Sequence, residues 1–163
     1  MTLKLQVENL KELEKKNNMT EILELTNQLQ PADVVVAKKR KGLGRILNHY
    51  IVYVGDTTFI GNLKEGVKTL TYLDLNELLI DYEPMRIRKF NGSNTERQYA
   101  LNRAYSRIGK SYNLLSYNCE HFANWVQKGK EISTQVDIGV AALIVGITYK
   151  IITSTNGKRK IKA

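Results

Sequence analysis

The sequence has few of the residues that build disulfide bonds and reactive centres. It contains one cysteine, two histidines and two prolines among 163 residues. A single cysteine excludes a disulfide framework within the chain, so a reducing compartment is the default expectation. The N-terminal stretch MTLKLQVENLKELEKK carries charges throughout, without the apolar core of a signal peptide. Thr2 stands where N-myristoylation requires glycine. The length predicts one domain with a substantial core, and no internal repeat or low-complexity tract interrupts it.

Negative charge is also in short supply, because the formal net charge is +9. Much of the excess lies in two basic clusters, AKKRKGLGR at Ala37–Arg45 and GKRKIKA at Gly157–Ala163. Such clusters bind nucleic acid or anionic lipid, or simply keep a loop solvated. Nucleic-acid binding is disfavoured because the runs lack interleaved aromatic residues and no recognition motif accompanies them. A solvated loop and a lipid contact both stay open.

Hydrophobic periodicity predicts an α+β fold with an antiparallel sheet. Residues 1–30 are predicted to form two helices that break at KKNNMT, with Asn18 or Thr20 as the second N-cap, and Pro31 ends this region. The predicted strands share β-branched or alternating apolar residues: ADVVVAKK (Ala32–Lys39), two strands around a Gly55–Asp56 turn in HYIVYVGDTTFIGNL (His49–Leu63), and EPMRIRKF (Glu83–Phe90). Within them, Tyr50–Val54 is predicted to be a central strand. LDLNELLIDY (Leu73–Tyr82) is predicted to form a short helical turn.

Two further helices are indicated by their ends. One is predicted over Thr95–Gly109, with Thr95 as the N-cap and Gly109 at its C-terminus. The other begins near Cys119, with Asn118 as the N-cap.

The C-terminal region is apolar in a way that the rest of the chain is not. Ile138–Ile152 contains one charged residue, Lys150, and would span roughly 22 Å as a helix against a hydrocarbon core of about 30 Å. It could cross a bilayer if Lys150 snorkels. The alternative is a helix buried in the protein core. We favour a membrane anchor because the segment is apolar on every side and KRKIK follows it, as on the cytoplasmic side of a membrane tail.

Cys119 is a candidate nucleophile. At the first turn of a helix, free N–H groups and the helix dipole favour a thiolate, and a neighbouring imidazole could favour it further. Cys119, Phe122, Ala123 and Val126 share one apolar helical face, whereas His121 points roughly 200° away, which makes it a poor base. Its expected role is a hydrogen bond at the helix start, so His49 becomes the candidate base. The alternative is that Cys119 is a small buried apolar residue.

These motifs resemble the lecithin:retinol acyltransferase-like family. NCEHF (Asn118–Phe122) and HYIVYVGD (His49–Asp56) match its cysteine and histidine blocks, and PADVVV (Pro31–Val36) is similar to its opening strand, with Ala32 in place of a glycine. RIGKSYNLLSYNCEHFANWV is similar to the family's helix, loop and nucleophile helix. The apolar tail with a basic end is similar to that of the small phospholipase A/acyltransferase subfamily.

The resemblance implies a circularly permuted NlpC/P60, papain-like fold. It implies a catalytic domain at 31–130. The periodicity of residues 1–30, which the resemblance does not cover, predicts an N-terminal helical extension, and 131–163 is expected to be a C-terminal membrane-anchor helix with a basic tail. The chain would face the cytoplasm from an intracellular membrane, with a phospholipid membrane and a glycerophospholipid substrate as partners. No cofactor, metal or nucleic acid is implied.

The implied mechanism is acyl transfer from a glycerophospholipid. Cys119 would attack an ester carbonyl with His49 as general base, and the resulting thioester would pass its acyl group to water, an amine or a hydroxyl. The Cys119 N–H could hold the oxyanion, and Tyr50 could line the lipid entrance. The basic residues expected to contact lipid headgroups are Lys38, Lys39, Arg40 and Lys41.

One position departs from the family pattern. Gly61 stands where the family commonly has a second histidine. Asn62, the next residue, could orient His49 if the strand carries a bulge, but would face the opposite side without one. Gly61 therefore favours an alternative, a catalytically impaired relative that binds or remodels membranes or a partner. This alternative includes viral proteins of this permuted fold that have only the histidine and NC motifs and no clear activity. A cysteine amidase or peptidase is a third possibility, against which the apolar tail argues.

Overall fold

The structure is a computed structural model that describes residues 5–9, 13, 20 and 23–159. The chain divides into two compact units, Met1–Ile132 and Ser133–Ala163. The first unit carries the sheet and the two residues implicated in catalysis. The second consists largely of one helix.

A five-stranded antiparallel sheet organises the first unit. Its strands are β1 (Val34–Lys39), β2 (Asn48–Gly55), β3 (Thr58–Leu63), β4 (Gly66–Leu70) and β5 (Tyr82–Arg88). Their order across the sheet is β4-β3-β2-β1-β5, so the strand containing Tyr50–Val54 is central, as predicted. The α+β fold is therefore confirmed. The hairpin turn lies one residue later than predicted, at Asp56–Thr57, where both residues have positive φ values of 49° and 56°.

The sequence analysis did not predict β4, and it predicted only a short helical turn where the structure has a full helix. Two residues of β4, Lys68 and Thr69, are exposed, so the strand shows little apolar alternation from which it could be recognised. The predicted helical turn at Leu73–Tyr82 is a full helix of ten residues, and Tyr82 itself opens β5.

The described helices follow in chain order. They are a 3₁₀ helix (Leu43–Ile46), α1 (Tyr72–Asp81), α2 (Asn94–Tyr105), α3 (Cys119–Lys128) and α4 (Thr134–Arg159). The predicted N-cap Thr95 is wrong. Ser93 caps α2, since its Oγ accepts the Glu96 N–H and the Glu96 carboxylate accepts the Ser93 N–H. This reciprocal capping box satisfies two N–H groups at the helix start, whereas Thr95 lies inside the first turn. α2 also ends at Tyr105, before Gly109.

The predicted N-terminal helices lie partly outside the described residues. Residues 5–9 and 23–27 are helical, and Thr20 is itself helical. Asn18 and most of the KKNNMT break fall outside the part of the chain that the structure describes.

Ala32 explains why a glycine suits the turn that leads into β1. Its φ is +72°, a left-handed conformation that favours glycine over residues with a Cβ. Asp33 holds the turn: its buried carboxylate accepts N–H groups from Gln30 and Phe90 and pairs with Lys89.

The two faces of the sheet pack against different helices. One apolar cluster joins Tyr50, Val52 and Val54 of β2 to α2 and α3, and it includes Cys119. The other joins Ile51 and Tyr53 to α1. Because side chains alternate along a strand, β2 supplies both cores.

The second unit contains a long apolar helix. α4 has 26 residues, which is about 39 Å at 1.5 Å per residue. Its stretch Thr134–Ile151 is long and apolar enough to cross a membrane, and none of it is buried in the protein. The exposure of this stretch does not support the alternative of a buried core helix.

Candidate active site

Cys119 is the first residue of α3, and Asn118 caps the helix as predicted. The Asn118 Oδ1 atom accepts the N–H groups of Glu120 at 2.9 Å and His121 at 3.1 Å. Asparagine is favoured at this position because its side-chain oxygen reaches N–H groups that have no partner within the helix. The cap fixes Cys119 at the helix start, with 7% of its surface exposed.

His121 completes the cap at the start of α3. Its Nδ1 atom accepts the Asn118 backbone N–H at 3.2 Å, which makes the capping reciprocal. The predicted hydrogen bond at the helix start is present. His121 therefore stabilises the backbone conformation on which the position of Cys119 depends.

The Cys119 thiol lies against the start of β2. Its Sγ atom is 3.8 Å from the Asn48 carbonyl oxygen, to which the thiol donates. The backbone N–H of Tyr50 acts on the same sulfur and lowers the pKa of the thiol. These two peptide groups stand on either side of His49. The pairing of β2 with β3 reaches Ile51, so the thiol meets β2 beyond the end of that pairing.

His49 leaves β2 on the face that carries Ile51 and Tyr53, whereas Cys119 packs against the opposite face, with Tyr50 and Val52. It pairs with Ala37 of β1, and its ring packs on Tyr82 with the ring centroids 5.1 Å apart. The residue is partly exposed, but its Nε2 atom is buried and has no hydrogen-bond partner. Burial lowers the pKa of His49 from 6.5 to about 4, since it penalises the charged imidazolium. A neutral imidazole at neutral pH can accept a proton.

The thiol is not activated in the resting structure, contrary to the expectation from the helix start. Burial, with a smaller contribution from the nearby Glu120 carboxylate, raises the pKa of Cys119 from 9.0 to about 11. The N–H groups of Tyr50, Cys119 and Glu120 act in the opposite direction. Desolvation outweighs them because the thiol is almost completely enclosed.

Tyr50 belongs to a buried polar network behind the thiol. Its hydroxyl donates to the Glu120 carboxylate at 3.5 Å, and the Arg88 guanidinium lies over its ring at 5.5 Å. Arg88 in turn donates to the Asn124 side chain at 2.9 Å. Tyr50 thus ties β2 to α3 and β5, whereas the lining of a lipid entrance by Tyr50 stays a prediction.

The position of Gly61 is filled by apolar side chains. Gly61 pairs with Ile51, on the same face as His49. A Cβ added to Gly61 would lie 3.1 Å from the Leu70 Cδ1 atom and 3.6 Å from the Leu63 Cδ2 atom. The place that a second polar residue would occupy is therefore part of an apolar core.

Asn62 faces away from His49. The β2–β3 register is regular from Ile51 to Tyr53, so the bulge that would turn Asn62 toward His49 is absent between these described residues. The Asn62 Nδ2 atom donates to the Tyr117 carbonyl at 2.8 Å, and its Oδ1 has no partner. In this arrangement Asn62 supports the segment before Asn118.

The residues predicted to contact lipid headgroups differ in their exposure and hydrogen bonding. Arg40 donates its backbone N–H to the Asp81 carbonyl and its Nε to the Leu79 carbonyl, so it closes the C-terminal end of α1. Lys38 and Lys39 are half-buried, whereas Lys41 is exposed.

Two tyrosines near the thiol could not be identified from sequence. Burial raises the pKa of Tyr82 and of Tyr112, and the charge of Cys119 raises both further. Tyr82 also packs on His49, so it is a common neighbour of the two candidate catalytic residues. The position of Tyr82 depends on the pairing of β5 with β1, and a local sequence pattern does not predict which strands pair.

The comparisons with known proteins agree with the motifs. The family model for lecithin retinol acyltransferase matches residues 74–132, which include Cys119 and exclude His49. No curated protein matches the chain. The match covers about a third of the chain and includes the capped cysteine helix, so this part of the chain is similar to the lecithin retinol acyltransferase family.

Proposed function

We propose that this protein is a membrane-tethered thiol phospholipase A/acyltransferase. It would move a fatty acyl group from a glycerophospholipid to Cys119 and then to water, an amine or a hydroxyl. The observation that carries the proposal is the position of the thiol, at the start of a capped helix and against the peptide groups that flank His49. The family match supports the reaction class.

The chemistry assigns one role to each residue. The sulfur forms a bond to the ester carbonyl carbon while His49 takes the thiol proton. This transfer requires the imidazole to reach around the start of β2, because His49 and Cys119 lie on opposite faces of the strand. The oxyanion is stabilised by the Cys119 N–H at the start of α3. Collapse of this intermediate breaks the ester C–O bond, and His49 returns the proton to the departing lysophospholipid. Water or an acceptor then attacks the thioester with His49 again as base.

The resting pair is neutral, which predicts slow turnover. A thiol pKa of about 11 leaves a thiolate fraction of about 10⁻⁴ at pH 7. An imidazole with a pKa of about 4 is a weak base for that proton. The missing orienting residue at Gly61 acts in the same direction.

The fold and location belong to the same proposal. The histidine strand precedes the cysteine helix in the chain, which is the order of the permuted NlpC/P60 arrangement. We assign the catalytic domain to 31–130 and the region 131–163 to a single C-terminal anchor, with the domain on the cytoplasmic face. The length and exposed apolar surface of α4 support the anchor.

A second candidate is a non-catalytic relative that binds or remodels membranes or a partner. The apolar filling around Gly61 favours it, because no polar group stands there to orient His49.

The test uses the full chain reconstituted in phosphatidylcholine vesicles. We expect release of fatty acid and a mass increase of one acyl chain on Cys119, both lost in Cys119→Ala and reduced by about two orders of magnitude in His49→Ala. His121→Asn is the matched histidine control and should keep the acylation. Absence of both product and thioester in the folded wild-type protein would favour the second candidate. Loss of chemistry in a folded His121→Asn variant would refute the assignment of the base.

A further inference from the structure

We propose that two exposed apolar loop tips beside Cys119 dock the first unit onto an anionic bilayer surface. The tips are Ile46–Leu47, just before β2, and Leu114–Leu115, just before α3; together they are called the docking loops. The inference rests on the proposed function, since it names how the site would reach a lipid substrate.

The docking loops expose aliphatic side chains that gain no stabilisation from contact with water. Ile46 is 85% exposed and Leu115 is 66% exposed, and Leu47 and Leu114 are also exposed. Single exposed apolar residues are ordinary, but adjacent pairs in two loops near one site mark an interaction surface.

Both docking loops adjoin the start of α3. Leu47 is followed by Asn48, whose carbonyl oxygen is 3.8 Å from the Cys119 sulfur. The Leu114 carbonyl accepts the side-chain N–H of Asn118, the α3 cap, at 3.0 Å. The first tip therefore adjoins the hydrogen-bond acceptor of the thiol, and the second is bonded to the cap residue that precedes the nucleophile.

The second docking loop is held in shape. Asn113 accepts the N–H groups of Leu115 at 3.0 Å and Ser116 at 2.9 Å through its side chain. The Asn113 and Tyr117 backbones exchange two further hydrogen bonds across the base of the loop. These bonds keep the two leucines at the tip, so their exposure does not come from an absence of local structure.

The positive charge beside the first docking loop favours an anionic bilayer as the partner. Exposed Lys41 and Arg45 precede it in the chain, within the basic cluster Ala37–Arg45. Aliphatic tips with neighbouring cations match a bilayer interface, where apolar side chains enter the acyl boundary and Lys or Arg contacts anionic headgroups. An acidic protein would use the cations but would leave four aliphatic side chains without a hydrocarbon environment.

The first experiment measures insertion locally, because α4 could hold the whole chain on a membrane. In the full chain carrying Cys119→Ser, single cysteines at Ile46→Cys, Leu115→Cys or Leu73→Cys receive an environment-sensitive fluorophore. Leu73 is also exposed, but it lies on α1, against the other face of the sheet. We expect a blue shift and quenching by brominated acyl chains at 46 and 115 and not at 73, and a larger effect when the phosphatidylcholine vesicles contain phosphatidylserine.

Three results would overturn docking. One is no quenching at 46 and 115 while a label at Thr148→Cys on α4 is quenched. Another is equal quenching at Leu73. The third is a shift at 46 and 115 with soluble polyglutamate and none with vesicles, which would assign the surface to an acidic polypeptide.

A second measurement separates docking from catalysis. Ile46→Glu with Leu115→Glu should lower hydrolysis of vesicle phosphatidylcholine by about tenfold or more, with hydrolysis of a monomeric short-chain phosphatidylcholine unchanged. Leu73→Glu should alter neither. Equal rates on vesicles for the double variant and wild type would refute docking. Wild-type protein that hydrolyses neither substrate would refute the proposed function, while the fluorophore result would still decide docking.

Discussion

At the scale of single residues, burial keeps both candidate catalytic groups uncharged. It raises the pKa of the Cys119 thiol and lowers that of the His49 imidazole. The structure has Cys119 on the inner face of its helix and His49 on the central strand, as the sequence predicted, but the two side chains lie on opposite faces of that strand. It could not give the pKa of either group, because desolvation depends on side chains from elements distant in the chain, such as Tyr82 over His49.

We predict that His49 makes stability depend on pH between about 6.5 and 4. In this range the unfolded chain protonates His49 and the folded chain does not, because the folded pKa is about 4 against 6.5. The free energy of unfolding should therefore fall as the pH falls, by up to about 3 kcal/mol in total. The measurement is urea unfolding of the full chain in micelles at several pH values. His49→Gln should flatten this dependence, and an unchanged pH profile in that variant would contradict the assignment.

At the scale of elements, the turn before α3 is attached to the sheet through a close backbone contact. The Val67 N–H donates to the Lys110 carbonyl, and the Gly109 N–H donates to the Val67 carbonyl. Gly66 permits this approach, because a Cβ there would lie 2.8 Å from the Lys110 carbonyl oxygen, and its φ is +111°.

Gly66→Ala should accordingly destabilise the protein more than Gly109→Ala. Both glycines have positive φ, but a Cβ on Gly109 would meet nothing within 4 Å. Strain alone should cost about 1–2 kcal/mol at Gly109, and the added clash should raise the loss at Gly66 to about 3 kcal/mol or more. Thermal or chemical unfolding of the two variants measures the difference. Equal losses would mean that the Lys110 backbone moves aside freely.

Element prediction succeeded where local patterns are strong and failed where tertiary pairing decides. β1, β2 and α3 follow from β-branched runs and an Asn cap. β4 depends on pairing with β3 despite its exposed polar residues, and the capping box at Ser93 takes precedence over the nearby Thr95.

At the scale of the whole molecule, we predict that α4 holds the chain in membranes. Leu143→Lys with Ile147→Lys should place two charges in the middle of its apolar stretch, and each costs about 2.5–3.5 kcal/mol at a bilayer centre. We expect the double variant to be extracted from membranes by alkaline carbonate while the wild-type chain stays. Lys150→Gln is the matched control and should also stay. Retention of the double variant would show that α4 is not what holds the chain.

The packing around Gly61 also bears on whether the absent polar group could be regained. A single exchange of Gly61 for histidine would force an imidazole into the space held by Leu70 and Leu63, so selection would meet a loss of stability before any gain in rate. Restoration needs a compensating truncation first, such as Leu70→Ala, which by itself leaves a destabilising cavity. Each substitution alone, Gly61→His or Leu70→Ala, would therefore destabilise the protein. A histidine at position 61 could be regained only if both substitutions were made together.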